Sequence, residues 1–335
     1  MRAVRRVTSR PARDAADSGT ALTLYYASDV HGSELCWRKF LAAGRFYKAQ
    51  ALVMGGDLTA KAIVPIDKGD DGCFRATVVG ETRTARNTEE LEQLLEAVRF
   101  NGMYPWMSSR EEIARYAADQ ATQAELFERI MVEELRRWIA LADERMAAYG
   151  IEVFVMAGND DPWSVDDVLQ SAQHVQFCDD RIVMVGGHEM LSLSYANRTP
   201  WNSPRELDED DLYLRIKRLA EQLERPKGAI FNLHVPPYNS GLDRAVEINP
   251  SDLSPVYRSG SPHEIPVGST AVREILDEYQ PLLALHGHIH EARGEAQIGR
   301  TLAINSGSEY NSGRIHGVVV KLADKAVVSR QFVIG

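Results

Sequence analysis

The chain predicts an α/β fold whose sheet is interrupted by a large insertion, and three observations support this. Strand, helix and strand patterns succeed one another between residues 22 and 57. A buried-strand pattern then resumes at residues 151–157, after a segment of different texture. Finally, the apolar runs end repeatedly in Gly, Asp, Asn or His, the residue types that sit at the carboxyl ends of strands in α/β sites.

Residues 22–28 (LTLYYAS) form the first apolar run and deliver Asp29-Val30-His31-Gly32. Ser33 is placed to cap a helix on which Trp37, Phe40, Leu41 and Gly44 recur at helical spacing. Ala51-Leu52-Val53-Met54 then leads into Gly55-Gly56-Asp57, completing a βαβ unit. The insertion covers about residues 61–150. Its first part, 61–84, is rich in Gly, Asp and β-branched residues and suggests a hairpin or small strand pair. Its second part reads as helical: Ser109 with Glu112 forms a capping box, and Leu126, Ile130, Leu135, Trp138, Ile139 and Met146 make an amphipathic stripe that Gly150 stops.

Residues 151–157 (IEVFVMA) deliver Gly158-Asn159-Asp160-Asp161. Strands are expected at 182–185 and 190–195, then an irregular loop at 195–206, a polar helix over about 207–225 and a strand at 229–233 before His234. After a loop with six prolines, Ser269 or Thr270 caps a helix stopped near Pro281. The strand at 282–285 feeds His286-Gly287-His288-Ile289-His290, and 302–304, 318–322 and 327–334 read as closing antiparallel strands.

With 335 residues and 44% hydrophobic content, the chain can bury one large core carrying an insertion. The formal net charge of −10 argues against a protein that grips nucleic acid, because such binding is dominated by Lys and Arg on phosphate. Small phosphorylated substrates remain compatible, since bound divalent cations reverse the local balance. Cys36, Cys73 and Cys178 are odd in number and lack C-x-x-C spacing, which excludes a disulfide framework and fits a reducing, cytoplasmic setting. No apolar run is long enough to span a membrane, and residues 1–20, with five arginines and no apolar core, read as a disordered tail.

Asp29 and His31, like His288 and His290, stand two apart just past a strand and can face the same way. Together with Asp57, Asn159 and His234 they supply carboxylate, imidazole and carboxamide but no thiolate. That set suits Mn, Fe, Zn or Ni, and seven ligands suit two ions bridged by one carboxylate, Asp57. Two ions so placed can hold a bridging hydroxide and clamp a phosphoryl group for in-line attack.

The series D-x-H, G-D, G-N-x-D, H and G-H-x-H, in this order, resembles the calcineurin-like metallophosphoesterases over nearly the whole chain from about residue 22. The resemblance implies a two-sheet β-sandwich flanked by helices, with a dimetal site at one end. It places Asp29, His31 and His290 on one metal, Asn159, His234 and His288 on the other, and Asp57 between them. Mn leads among the metals. Many members carry His after the Asn; here Asp160 stands there, with a water or the substrate as the other candidate for protonating the leaving group. Asp161 matches the family's trailing Asp, whose expected role is to orient a neighbour at position 160.

Outside the motif, His174, His188 and His263 read as loop or surface residues, His286 as packing beneath the site, and His316, which follows the 305–308 turn, as a residue without a ligand role whose alternative is a place near the site. Lys61, Arg198, Arg205 and Tyr238 lie in loops near motif residues and read as structural or solvated. The expected function is metal-dependent hydrolysis of a small or moderate-sized phosphodiester or phosphomonoester. A nuclease is disfavoured by the acidic charge, and a non-catalytic scaffold by the completeness of the ligand set.

Overall fold

The computed structural model describes residues 21–335; the tail expected over residues 1–20 lies outside them. The first unit runs β1 (Leu22–Ala27), α1 (Glu34–Phe46) and β2 (Ala51–Met54), with Ser33 Oγ accepting from the Cys36 amide at the start of the helix. The insertion follows as β3 (Ile63–Lys68), β4 (Phe74–Val78), β5 (Glu81–Ala85), α2 (Thr88–Phe100), β6 (Tyr104–Ser108), α3 (Arg110–Ala118) and α4 (Gln120–Tyr149). The Ser109–Glu112 capping box forms as expected, and Gly150 ends α4 in the left-handed region at φ 64°.

Beyond the insertion come β7 (Glu152–Val155), α5 (Ser164–Gln170), β8 (Val175–Phe177), β9 (Arg181–Val185), β10 (His188–Leu193), the short β11 (Ala196–Asn197) and β12 (Glu206–Leu207), then α6 (Glu209–Ala220) and β13 (Ile230–Leu233). The proline-rich loop holds two small ribbons, β14 (Arg244–Val246) with β17 (Glu264–Pro266) and β15 (Tyr257–Arg258) with β16 (Ser261–Pro262). The chain closes with α7 (Thr270–Tyr279), β18 (Leu283–His286), β19 (Gly294–Ile298), β20 (Thr301–Asn305), β21 (His316–Ala323) and β22 (Ala326–Ile334).

Two six-stranded sheets result, ordered β22-β21-β1-β2-β7-β8 and β19-β20-β18-β13-β10-β9. Period-two alternation assigns their faces. In the first sheet Leu22, Leu24, Tyr26, Val53, Phe154 and Met156 point inward, meeting Met190, Ile230, Leu283, Leu285 and Ile304 of the second. The opposite face of the first sheet (Tyr25, Leu52, Met54, Val153 and Val155) packs on Trp37, Phe40 and Trp138 of α1 and α4. The outer face of the second (Leu191, Phe231, Leu233) packs on Ile216 of α6 and Ile275 of α7. The two-sheet sandwich flanked by helices is therefore present, and its two central strand sets share one layer of core.

Three expectations need correction. Within the insertion, β3 pairs in parallel with β6 across α2, so the segment carries a four-stranded sheet ordered β5-β4-β3-β6 in place of a lone strand pair. The run Tyr104-Pro105-Trp106-Met107 lies between two helices and does not continue either of them. β20 does not close the sheet antiparallel to its main partner; it continues the parallel run beside β18, while the unforeseen β19, with alternating burial and little apolar content, supplies the antiparallel edge. The polar helix is shorter than the range 207–225: it spans Glu209–Ala220 and then gives way to turns, in which Gln222 and Leu223 bond back to Leu219 and Ala220 ahead of Pro226.

Candidate metal centre

The site residues stand at the carboxyl ends of strands drawn from both sheets. Asp29, Asp57 and Asn159 follow the parallel neighbours β1, β2 and β7, while His234 and His288 follow the parallel neighbours β13 and β18. Backbone bonds knit the loops together: the Asp29 and His31 amides donate to the Gly56 and Asp57 carbonyls at 2.9 Å each, and the Gly287 amide donates to the His234 carbonyl at 2.9 Å. Glycine is required where the loops meet, since a Cβ on Gly158 would lie 2.1 Å from Asp57 Oδ1 and one on Gly287 would lie 2.3 Å from Asp29 Oδ2. Asp29, His31, Asp57 and His288 all adopt left-handed backbone, with φ of 57°, 37°, 53° and 65°. Each such residue costs on the order of 1 kcal/mol, strain that gathers where side chains must be aimed.

The aim is inward. His31 Nε2 lies 3.1 Å from His290 Nε2, and His290 Nε2 lies 3.5 Å from Asp29 Oδ1. His288 Nδ1 lies 2.8 Å from Asn159 Oδ1. Between these groups sits Asp57, whose Oδ2 is 3.5 Å from His31 Nε2 and 3.4 Å from His234 Nε2. His234 Nε2 also reaches Asp29 Oδ1 at 3.9 Å, so it stands close to both halves. All seven residues named from the sequence converge.

Two observations test whether this donor set fits divalent cations. His234 Nε2, which faces Asp57 and Asp29, is buried without a hydrogen-bond partner, a costly state for a polar atom. Burial opposes charge on His234, yet the Asp57 and Asp29 carboxylates push its pKa up to about 10. Burial in turn raises the Asp57 carboxyl to about 6, against the pull of His234. The pocket draws positive charge to its centre, and His31 is driven well below its usual range by burial and by His290. A bound cation would take the place of the proton on His234, and imidazoles beside carboxylates are the donors that Mn, Fe, Zn or Ni accept, so the residues fit. Buried Asp/His groups here can hold metal ions.

Asp160 has a different setting from the one an acid needs. Its Oδ2 lies 2.6 Å from Lys61 Nζ, and its Oδ1 accepts from Ser203 Oγ at 2.6 Å and Asn159 Nδ2 at 3.1 Å. Burial works against the carboxylate, but Lys61 and then Ser203 hold the pKa down to about 2. The proton-bearing group at that position is the Lys61 ammonium. Its loop shows no periodic pattern, so nothing in the sequence distinguishes it from a solvated lysine.

Asp161 also departs from the expected role. It turns away from residue 160 and accepts from the amides of Leu58, Thr59 and Gly158 at 2.8–3.0 Å and from Thr59 Oγ1 at 2.7 Å, tying the Asp57 loop to the Asn159 loop. Asp161→Ala leaves these donors buried and unpaired; it is expected to lower stability by about 3 kcal/mol and metal affinity at least tenfold. Calorimetry and a metal titration check both.

His286 packs beneath the site with Nδ1 on the Leu233 carbonyl at 2.8 Å. His316 faces Glu309 at 3.6 Å and touches no ligand named above. Arg205 is no solvated loop residue: its side chain is buried, bonded to the Asp161 and Pro162 carbonyls and paired with Asp166 and Asp179. Arg198 pairs with Asp208 in an exposed bridge, and Tyr238 is exposed. Tyr310 is a site neighbour that no motif announces; its ring lies 4.7 Å from that of His31 and 5.8 Å from that of His290. The neighbouring turn is its only signal, and Ser308 Oγ there donates to the Asp29 carbonyl at 2.6 Å.

Comparison with solved structures covers 94% of the chain. One crystal structure matches at a TM-score of 0.54 and 15% identity over 99% of its own chain; TT1561 of Thermus thermophilus matches at 0.51 and 13%, also over 99%. The chain has the calcineurin-like metallophosphoesterase fold. A Methanocaldococcus jannaschii protein, the uncharacterized MJ1162, is 28% identical over 157 residues, or 46% of this chain. The chain spans 63% of the length of that curated relative. No protein-family model matches. Among the described residues, no helix is long and apolar enough to cross a membrane.

Proposed function

We propose that this phosphoesterase fold hydrolyses a small or moderate-sized phosphoester, diester or monoester, with two divalent cations, Mn foremost, held by Asp29, His31, Asp57, Asn159, His234, His288 and His290. The observation that carries the reading is Asp57 Oδ2, which stands 3.5 Å from His31 and 3.4 Å from His234 and so joins the two ligand groups. Cations bound there would neutralise the phosphoryl oxygens and supply an activated water. The protein's own groups do the rest. The left-handed loops fix the ligands, Asp161 locks two of those loops together, and Asp160 holds Lys61 at the mouth, where its ammonium meets a phosphoryl oxygen or the leaving oxygen.

Purified protein with Mn²⁺ is expected to hydrolyse a generic aryl phosphodiester or monoester, to lose activity in chelator, and to regain it when Mn²⁺ is returned. Metal analysis should find two ions per chain; under one ion, with no turnover, would favour the non-catalytic scaffold. Absence of DNA binding at low ionic strength is expected from the charge of −10 and removes the nuclease. Lys61→Met should lower kcat/KM by about 10- to 100-fold, the range for a hydrogen bond to a charged group, while Lys61→Arg recovers part of the loss. Unchanged kinetics in Lys61→Met would remove Lys61 from the reaction.

A further inference from the structure

The insertion and the Asn159 loop border an open cleft of about 510 Å³, which the proposed chemistry leaves unused. Tyr116, Gln120, Gln123 and Phe127 of the insertion form one wall, and Pro162 and Trp163 form the other. Trp163 is 53% exposed, an uncommon state for so large a ring. Its exposure is directional, because the Arg205 guanidinium lies 4.4 Å from the ring centre and covers one face. The ring is tilted against Tyr195 at 6.0 Å, and its exposed part lines the cleft.

Both walls are anchored by contacts of their own. The Pro162 carbonyl accepts from Arg205 Nη2 at 3.0 Å, and Trp163 is the residue from which α5 begins. Across the cleft Tyr116 packs on Trp106 at 5.3 Å and Phe127 on Tyr104 at 6.0 Å. Gln123 donates its amide nitrogen to the Tyr116 carbonyl at 2.9 Å, which orients the amide oxygen as a fixed acceptor. Flat aromatic surface, edged by amides and held in place, is the surface that stacks on a planar ring.

The cleft is also within reach of the reacting phosphorus. Trp163 follows Asp160 by three residues, which span at most about 11 Å. On the other wall, Tyr104 Oη accepts from the Ala60 amide at 3.0 Å, beside Lys61. A ligand with phosphate at the Asp57–Lys61 end and a spacer of several bonds can therefore lay its ring on Trp163.

We infer that the cleft between the insertion and Trp163 is a binding subsite for a planar aromatic or heteroaromatic group carried by the phosphoester, with Trp163 as its stacking platform. This rests on the phosphoesterase reading for the position of the phosphate and adds the class of its organic part. Specificity then resides in Trp163 and the insertion wall that faces it, and an ester bearing a saturated ring binds less tightly than its aromatic counterpart.

The test uses the full chain with Mn²⁺ and two non-hydrolysable ligands, 4-phenylbutylphosphonate and 4-cyclohexylbutylphosphonate, in titration calorimetry. The phenyl ligand is expected to bind about fivefold more tightly, the size of one good ring contact. Trp163→Phe should keep most of that preference, while Trp163→Leu, which retains apolar bulk on a half-exposed position, should bring the two affinities together. Equal affinities in the unaltered protein, no binding of the phenyl ligand, or a preference that persists in Trp163→Leu would each overturn the subsite. A parallel assay with an aryl phosphodiester separates the two readings. A phenyl preference without turnover sinks the phosphoesterase and leaves the subsite, and turnover without the preference does the reverse.

Discussion

Replacing Asp57 with asparagine is expected to lower phosphoester hydrolysis by about a thousandfold while the fold survives, a loss of about 4 kcal/mol of transition-state stabilisation. The two carboxylate oxygens have separate jobs. Oδ1 accepts from the Asp160 amide at 3.0 Å, and Oδ2 stands between His31 and His234. Asparagine can keep the first contact with its own oxygen, but it then presents an NH₂ group where a bridging anion is needed. Its backbone is no obstacle, since Asp57 has φ 53° and Asn is among the few residues that tolerate the left-handed region. Circular dichroism should therefore match the unaltered protein, metal content should fall from two ions per chain to one or fewer, and kcat should collapse. A variant that turns over at the original rate would sink the dimetal assignment.

The convergence of the seven candidate ligands was legible because each depends on something local: a short apolar run, a tight turn after it, and a polar side chain that the turn aims. The positions of Asp29 after β1 and His288 after β18 follow from strand periodicity alone, and the two sheets bring them together. Residues whose placement depends on contacts between distant loops left no such mark. Lys61 meets Asp160 from a loop on the far side of the insertion, and Arg205 reaches Asp166 and Asp179 from an irregular loop. The four-stranded sheet of the insertion was partly hidden for a related reason. β6 is short, lies between two helices, and pairs with a strand on the far side of α2, so no hairpin turn announces it. At residue 160 the motif named the position, but its charge state depends on a lysine that the motif does not contain.

Removing the Arg205 guanidinium should cause the largest loss of stability of any single change outside the candidate ligands. Arg205→Met preserves length and apolar bulk but deletes a buried cation that bonds the Asp161 and Pro162 carbonyls and faces two carboxylates, at 2.6 Å for Asp166 and 3.3 Å for Asp179. Asp166 can turn toward water; Asp179, with only 3% of the residue exposed, cannot. Breaking such a pair costs about 3–5 kcal/mol, chiefly through the bare charge left behind. The pH dependence identifies that charge. Burial already raises the Asp179 carboxyl to about 6 in the fold, with Arg205 pulling it down. A folded pKa above the unfolded value of about 3.9 means that the protonated form is the one favoured by folding, so stability from this group declines as pH rises through about 6. Without Arg205 the folded pKa climbs further and the decline extends to higher pH. The loss in Arg205→Met is therefore expected to be larger at pH 8 than at pH 5, where Asp179 takes up a proton and no bare charge remains. Adding Asp179→Asn to the methionine variant should recover much of the loss at pH 8 and little at pH 5, a coupling that urea unfolding at the two pH values measures directly. A loss below about 1 kcal/mol at pH 8 would mean that the cation is not what holds these carboxylates in place. The same loop carries Asn159, whose carbonyl accepts from the Arg205 amide at 3.1 Å, so the variant should also bind metal less tightly before it unfolds.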